Sequence, residues 1–162
     1  MVKQKMHFKW IVGQLLCLLF LSLGICFILY KDISHVKKIS TDSEAMFAEQ
    51  GFNYSIDYLE DSGDEIIVQG WAFIEGKSTQ YFDCSVVLKN LSSNDYYQIP
   101  TSYQERKDVT EVYGSQDLNY DHSGFFARVL KDKLPTGEYE VYLGYNAHTI
   151  LQLYQTGYFI GI

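Results

Sequence analysis

The chain has 162 residues, 20 acidic against 13 basic side chains and a formal net charge of −7. A balance of that sign argues against a nucleic-acid or anionic-lipid surface, because phosphates are met by lysine and arginine. With 3 cysteines but 14 Tyr, 10 Phe and 2 Trp, the fold has to hold through its core rather than through disulfides.

Residues 1–10 form a short basic stub carrying Lys3, Lys5 and Lys9. Ile11–Tyr30 follows without a charge, and at a rise of about 1.5 Å per residue it covers roughly 30 Å, the thickness of a bilayer core. It outruns the roughly 7–15 residues of a signal-peptide core and ends without a small-x-small cleavage site. Leu16 before Cys17 and Ile25 before Cys26 do not form a lipoprotein signal. The stretch therefore reads as a retained transmembrane signal-anchor in the plasma membrane. The flanking lysines tie, so the free amino terminus sets a cytoplasmic N-terminus and an extracytoplasmic C-terminal domain. Residues 31–51 read as a stalk, with helix formers over Ser43–Gln50.

From residue 52 the hydrophobic period becomes two. Tyr54, Ile56 and Tyr58 open a strand, Asp61–Asp64 supplies turn residues, and Glu65–Ile74 reads as a long buried strand. Tyr81–Lys89 alternates, Asp95–Pro100 is a short strand, and Thr101–Ser123 is the longest connection. Gly124–Leu130, Glu138–Tyr145 and Thr149–Ile160 complete the series, with Leu134-Pro-Thr-Gly137 as a turn whose Pro presets φ. Cys84, within an alternating run, reads as a buried inert thiol. About seven strands with no helical period predict an all-β fold, an antiparallel β-sandwich over residues 52–162.

Gly70-Trp71-Ala72, Arg106-Lys-Asp108-Val109, Asp121-His-Ser123-Gly124-Phe125 and Leu134-Pro-Thr-Gly137-Glu-Tyr139 stand in an order that resembles an Ig-like accessory module of bacterial cell-surface proteins. Such modules accompany cell-wall hydrolases and glycan-building glycosyltransferases. The resemblance covers about residues 54–160 and brings no catalytic residues with it. It implies a cell-envelope setting.

Gly70 reads as a position where another backbone or a large ring comes close. Trp71 and Phe73 share one face, either in a core or as a sugar-stacking platform. Arg106 and Asp108 read as a brace for the long connection or as part of a binding loop. Asp117, Asn119 and Asp121 stand at i, i+2 and i+4, as a calcium loop begins. His122 and Arg128 then occupy the positions where that loop needs Gly and Glu, so a solvated turn is the expected reading, with Ca²⁺ in a loop of another kind as the alternative. Asp121-His122-Ser123 are chain neighbours and cannot form a triad, which requires separate elements. Zinc-ligand spacing and a nucleophile elbow are both missing, so no enzyme is expected.

The expected protein is a non-catalytic single-pass membrane protein whose sandwich binds an envelope glycan or protein partner, through Trp71, Arg106 and Asp108. The alternative is a structural subunit of a membrane-embedded biosynthetic or secretion complex, docking through Ile11–Tyr30.

Overall fold

The computed structural model describes residues 2–33, 35–39, 45–47, 51–61, 63–79, 83–147 and 150–162. They fall into two compact units, Met1–His35 and Val36–Ile162.

The first unit is helix α1, Val2–Ile33, of 32 residues. It holds no proline, and its Leu, Ile and Phe side chains support an unbroken helix. The side chains described in it, Trp10 and the run from Val12 to Phe27, are all exposed. That run is shorter than Ile11–Tyr30, and among the described residues no helix is long and apolar enough to cross a membrane.

The second unit contains β1 (Lys37–Ile39), β2 (Ala45–Phe47), β3 (Phe52–Glu60), β4 (Glu65–Ile74), β5 (Cys84–Asn90), β6 (Tyr96–Gln98), β7 (Thr101–Gln104), α2 (Lys107–Tyr113), β8 (Gly124–Leu130), β9 (Glu138–Ala147) and β10 (Ile150–Gly161). One sheet has six strands in the order β1-β6-β5-β9-β10-β2, and the other has four in the order β3-β4-β8-β7. Every pairing is antiparallel except that of β2 with β10. The all-β, sandwich-like reading is correct at this level.

The count of about seven strands is corrected to ten among the described residues. Two of the additional strands come from the expected stalk. Lys37–Ile39 pairs with β6, reinforced by a Lys38–Asp95 ion pair of 2.8 Å, and Ala45–Phe47 pairs with β10. Residues 40–44 and 48–50 of that stalk lie outside the described residues, as do Tyr81 and Phe82 of the expected third strand. The third additional strand, β7, and helix α2 both lie in the stretch read as a single connection.

Alternation decides what faces the core. Ile66, Val68 and Ala72 of β4 and Phe125, Ala127 and Val129 of β8 meet Cys84, Val86 and Leu88 of β5 and Tyr139, Val141 and Leu143 of β9. Phe52 stacks on Tyr154 at 3.5 Å between ring centroids. Thr101 ties the two sheets together, its Oγ1 accepting from the Val86 amide at 3.0 Å and donating to the Ile99 carbonyl at 2.9 Å.

Burial pushes the Cys84 thiol up to about 12, so the thiolate that reacts is scarce at neutral pH. With Cys17 and Cys26 replaced by serine, a thiol reagent at pH 8 should leave Cys84 unlabelled in the folded protein. It should label fully in denaturant, as mass spectrometry would read.

Leu134–Gly137 bends the chain into β9, but the Gly137 amide donates to the Ile162 carbonyl at 3.0 Å rather than back to Leu134, and the tyrosine does more than pack. Tyr139 is fully buried at the start of β9, and its hydroxyl donates to the Pro135 carbonyl at 2.5 Å. Tyr139→Phe removes that bond and leaves the carbonyl without it, at a cost of about 1–2 kcal/mol. A thermal melt should fall by about 5 °C.

Candidate functional site

Strand period places Gln69, Trp71 and Phe73 on the outer face of the four-stranded sheet, opposite the core. Part of that face is roofed by α2 and the loop that follows it. Phe73, Val109 and Tyr120 form a second buried cluster, with Trp71 and Leu118 packed at its edge. Phe73 stacks on Tyr120 at 4.1 Å and on Trp71 at 5.5 Å with only 17° between the Trp71 and Phe73 planes. Tyr113 leans on both rings, 5.3 Å from Trp71 and 5.4 Å from Phe73, and remains half exposed. Trp71 is therefore neither a core residue nor a free platform. One side of it rests on Phe73, and its environment is half open.

Arg106 links the sheet to the roof. Its cross-sheet path is set by Gly124, the register partner of Trp71. A Cβ on Gly124 would lie 2.3 Å from the Gln104 carbonyl oxygen and 2.5 Å from Arg106 Cγ, so the arginine stem lies directly over this glycine. The guanidinium then reaches Asp57 on β3, donating from Nη1 to Oδ2 at 2.5 Å. Its other edge grips Asp108 in the first turn of α2, with Nε at 2.9 Å from Oδ1 and Nη2 at 2.7 Å from Oδ2. Asp57 is positioned in turn by a β-bulge, where the β3–β4 register shifts between Ile56 and Tyr58, and by the Ser55 hydroxyl donating at 2.8 Å.

The charges reinforce one another. Asp108, then Asp57, holds Arg106 above its ordinary value, and Arg106 holds the Asp108 carboxyl below the ordinary carboxylate range. Asp121 is also held low, by the Thr110 hydroxyl and then by Asn119. A carboxyl depressed in the folded state contributes stability that is complete above its unfolded pKa and is lost as the pH falls through its folded value. Acidification below about pH 4 should therefore loosen the α2 roof. The expected sign is a red shift of Trp71 emission, read in a Trp10→Phe background.

Asp117, Asn119 and Asp121 are used locally. Asn119 Oδ1 accepts from the Asp121 amide at 2.8 Å, and its Nδ2 donates to Asp121 Oδ2 at 3.2 Å. The Asp117 carbonyl accepts from Ser78 Oγ at 3.2 Å, and the Asn119 carbonyl from the Thr79 amide at 2.8 Å. This loop is thus laced to the turn after β4, and the Arg106 amide donates to the Asp121 carbonyl at 2.8 Å. Among the described residues no group of three or more His, Cys, Asp or Glu is placed to hold a metal ion. Ser123 Oγ is buried with no hydrogen-bond partner among the described residues, and the His122 ring lies 5.1 Å from that of Tyr103.

The fold therefore brings Trp71, Arg106 and Asp108 together on one face, with Asp117, Asn119 and Asp121 in the adjoining loop. Asp57, Phe73, Tyr113 and Gly124 belong to the same constellation. The Ser-Gly-Phe pattern pointed to Gly124 without its mechanism, and Phe73 was paired with Trp71 by period two. No sequence signal marked Asp57, 49 positions from Arg106. Compared with known proteins, the chain matches no family model, no curated protein and no solved structure.

Proposed function

We propose that the chain is a non-catalytic, single-pass membrane protein whose Ig-like sandwich binds an envelope glycan or protein partner outside the cell. The observation that carries the reading is the outer-face constellation, where half-open aromatic rings adjoin a guanidinium fixed between two carboxylates. Fixed polar groups beside apolar rings suit recognition, and among the described residues no side chain there is set up as a nucleophile with its base.

Two features support the Ig-like assignment. Strands β3-β4-β8-β7 and β6-β5-β9-β10 follow one another as A-B-E-D and C′-C-F-G do in immunoglobulin domains. Tyr139 supplies a tyrosine corner at the start of the strand equivalent to F, with a bond back to Pro135. Two residues on, where antibody domains place a cysteine, fully buried Val141 packs in the core, in keeping with the lone Cys84 of this unit. The module resemblance adds a bacterial cell-surface setting, and the twenty uncharged residues of Ile11–Tyr30 add the anchor.

The test uses the full chain in nanodiscs, exposed to isolated envelope glycans and membrane proteins. Saturable retention that is weakened by Trp71→Ala supports the reading. No retention by folded protein would sink it. Replacing Ile11–Tyr30 with an unrelated anchor separates the docking-subunit alternative. Retained binding places the function in the sandwich, and lost binding places it in the helix.

A further inference from the structure

The outer face of the four-stranded sheet carries a partly exposed row beyond the roof of α2. Tyr58, Gln69 and Phe126 are register partners across β3, β4 and β8, so two rings flank an amide on one line. At one strand spacing of about 4.8 Å, those rings lie roughly 10 Å apart. Tyr58 is 48% exposed and Phe126 half-buried. The row borders the Trp71–Tyr113 rings at one end and the Arg106 fork beside Asp57.

We infer that this face binds an uncharged glycan chain, its apolar ring faces against Trp71, Tyr113 and Tyr58 and its hydroxyls on the Asp57–Arg106–Asp108 fork. The inference rests on the binding reading above and adds the ligand class and the surface. Charge decides the class. Arg106 would be the natural clamp for a phosphate or carboxylate, but its Nε, Nη1 and Nη2 already bond two carboxylates. An anionic ligand would have to break those pairs and approach a site with two carboxylates to one guanidinium, on a chain of net charge −7. Further along, Arg128 is bonded to Glu65, its Nε 2.8 Å from Oε2. Hydroxyls face no such barrier. The fixed carboxylates accept from them, and among the described residues three of the five guanidinium N–H donors are committed and two remain. The Asp108 side chain is 62% exposed and within reach of a ligand.

The alternative occupant, a polypeptide adding a strand, fits less well. The β3 edge is broken by the bulge at Asp57, and β7 has only four residues to offer.

Trp71 is the only tryptophan besides Trp10, so a Trp10→Phe full chain in nanodiscs reports this face directly. The probes are linear gluco-, manno-, galacto- and rhamno-oligosaccharides, set against hyaluronan oligosaccharides and poly(glycerol phosphate). The expected result is a saturable change in Trp71 emission with at least one uncharged series, unaltered by salt. Asp108→Asn and Tyr113→Ala should each weaken it by about tenfold, or 1.4 kcal/mol. Both side chains are half exposed or more, so thermal melts confirm that the fold is kept. Saturation by an anionic probe alone overturns the inference. An uncharged oligosaccharide that binds without moving Trp71 emission also overturns it, while leaving the broader binding reading in place. If no carbohydrate binds but a protein partner does, the glycan assignment fails and the protein version stands. If neither binds folded protein, both readings fall.

Discussion

Gly70→Ala should destabilise the sandwich by about 3 kcal/mol, lowering its melting temperature on the order of 10 °C. Gly70 stands on the core face of β4, between Val68 and Ala72, where a side chain is the rule. A Cβ there would lie 2.0 Å from the Ser55 carbonyl oxygen and 3.0 Å from Phe125 Cζ. The first contact sets the magnitude, since Ser55 O is backbone and is paired just before the Ile56/Tyr58 register shift. A ring can rotate away, but a carbonyl in a ladder moves only with its strand. Phe125→Leu introduced with Gly70→Ala should therefore not restore stability. A Gly70→Ala melt within about 2 °C of the parent would show that the bulge absorbs the methyl group. The same substitution should weaken glycan binding, because shifting Ser55 disturbs the hydroxyl that positions Asp57.

Gly70 shows what the sequence discloses and what it withholds. A glycine inside a strand already implied close approach by backbone or ring, and both are present. Strands with strong alternation or continuous apolar runs, β4 and β8, have the boundaries read from sequence because burial on the sandwich fixes them. β1 and β2 were not readable. Each has three residues, and the helix-forming composition around Ala45–Phe47 is overridden by pairing with β10, a partner more than a hundred positions away. Helix α2 was equally hidden: its N-cap is Arg106, which makes no capping side-chain bond, so the usual start signal is missing.

The site divides along the same line. Trp71 with Phe73 follows from period two, and Arg106 with Asp108 from charge and proximity in the chain. Which outer face is roofed, and that Asp57 completes the fork, depend on a bulge and on long-range registers that no local pattern encodes. The Leu-x-x-Gly-x-Tyr pattern was visible as a motif, yet its physical content, a buried hydroxyl closing the turn onto Pro135, appears only in the fold.

Phe73→Ala should have the other large effect, a loss of about 3–5 kcal/mol from removing a buried ring. How that loss is distributed matters more than its size. Phe73 is 2% exposed, but it belongs to the outer cluster with Val109 and Tyr120 rather than to the inter-sheet core. Its ring is the surface on which Tyr120, Trp71 and Tyr113 rest, at 4.1, 5.5 and 5.4 Å. Once it is gone, the loop after α2 keeps its hydrogen bonds to the Gly76–Thr79 turn, but both it and α2 lose their apolar seat. The opening should be local. Amide exchange across Lys107–Tyr113 should accelerate and Trp71 emission should shift red. Amides of β5 and β9, which open only with the whole sandwich, should remain the most slowly exchanging, although faster than in the parent by the lost stability. Phe73→Leu, which keeps most of the apolar volume, should show a smaller change of the same kind. Lys107–Tyr113 amides exchanging as slowly as those of β5 and β9 would instead mean that the two clusters form one cooperative core. With local opening, ligand affinity should fall although no fork residue has changed, because Asp108 is held in place by the first turn of α2, and α2 is held in place by Phe73.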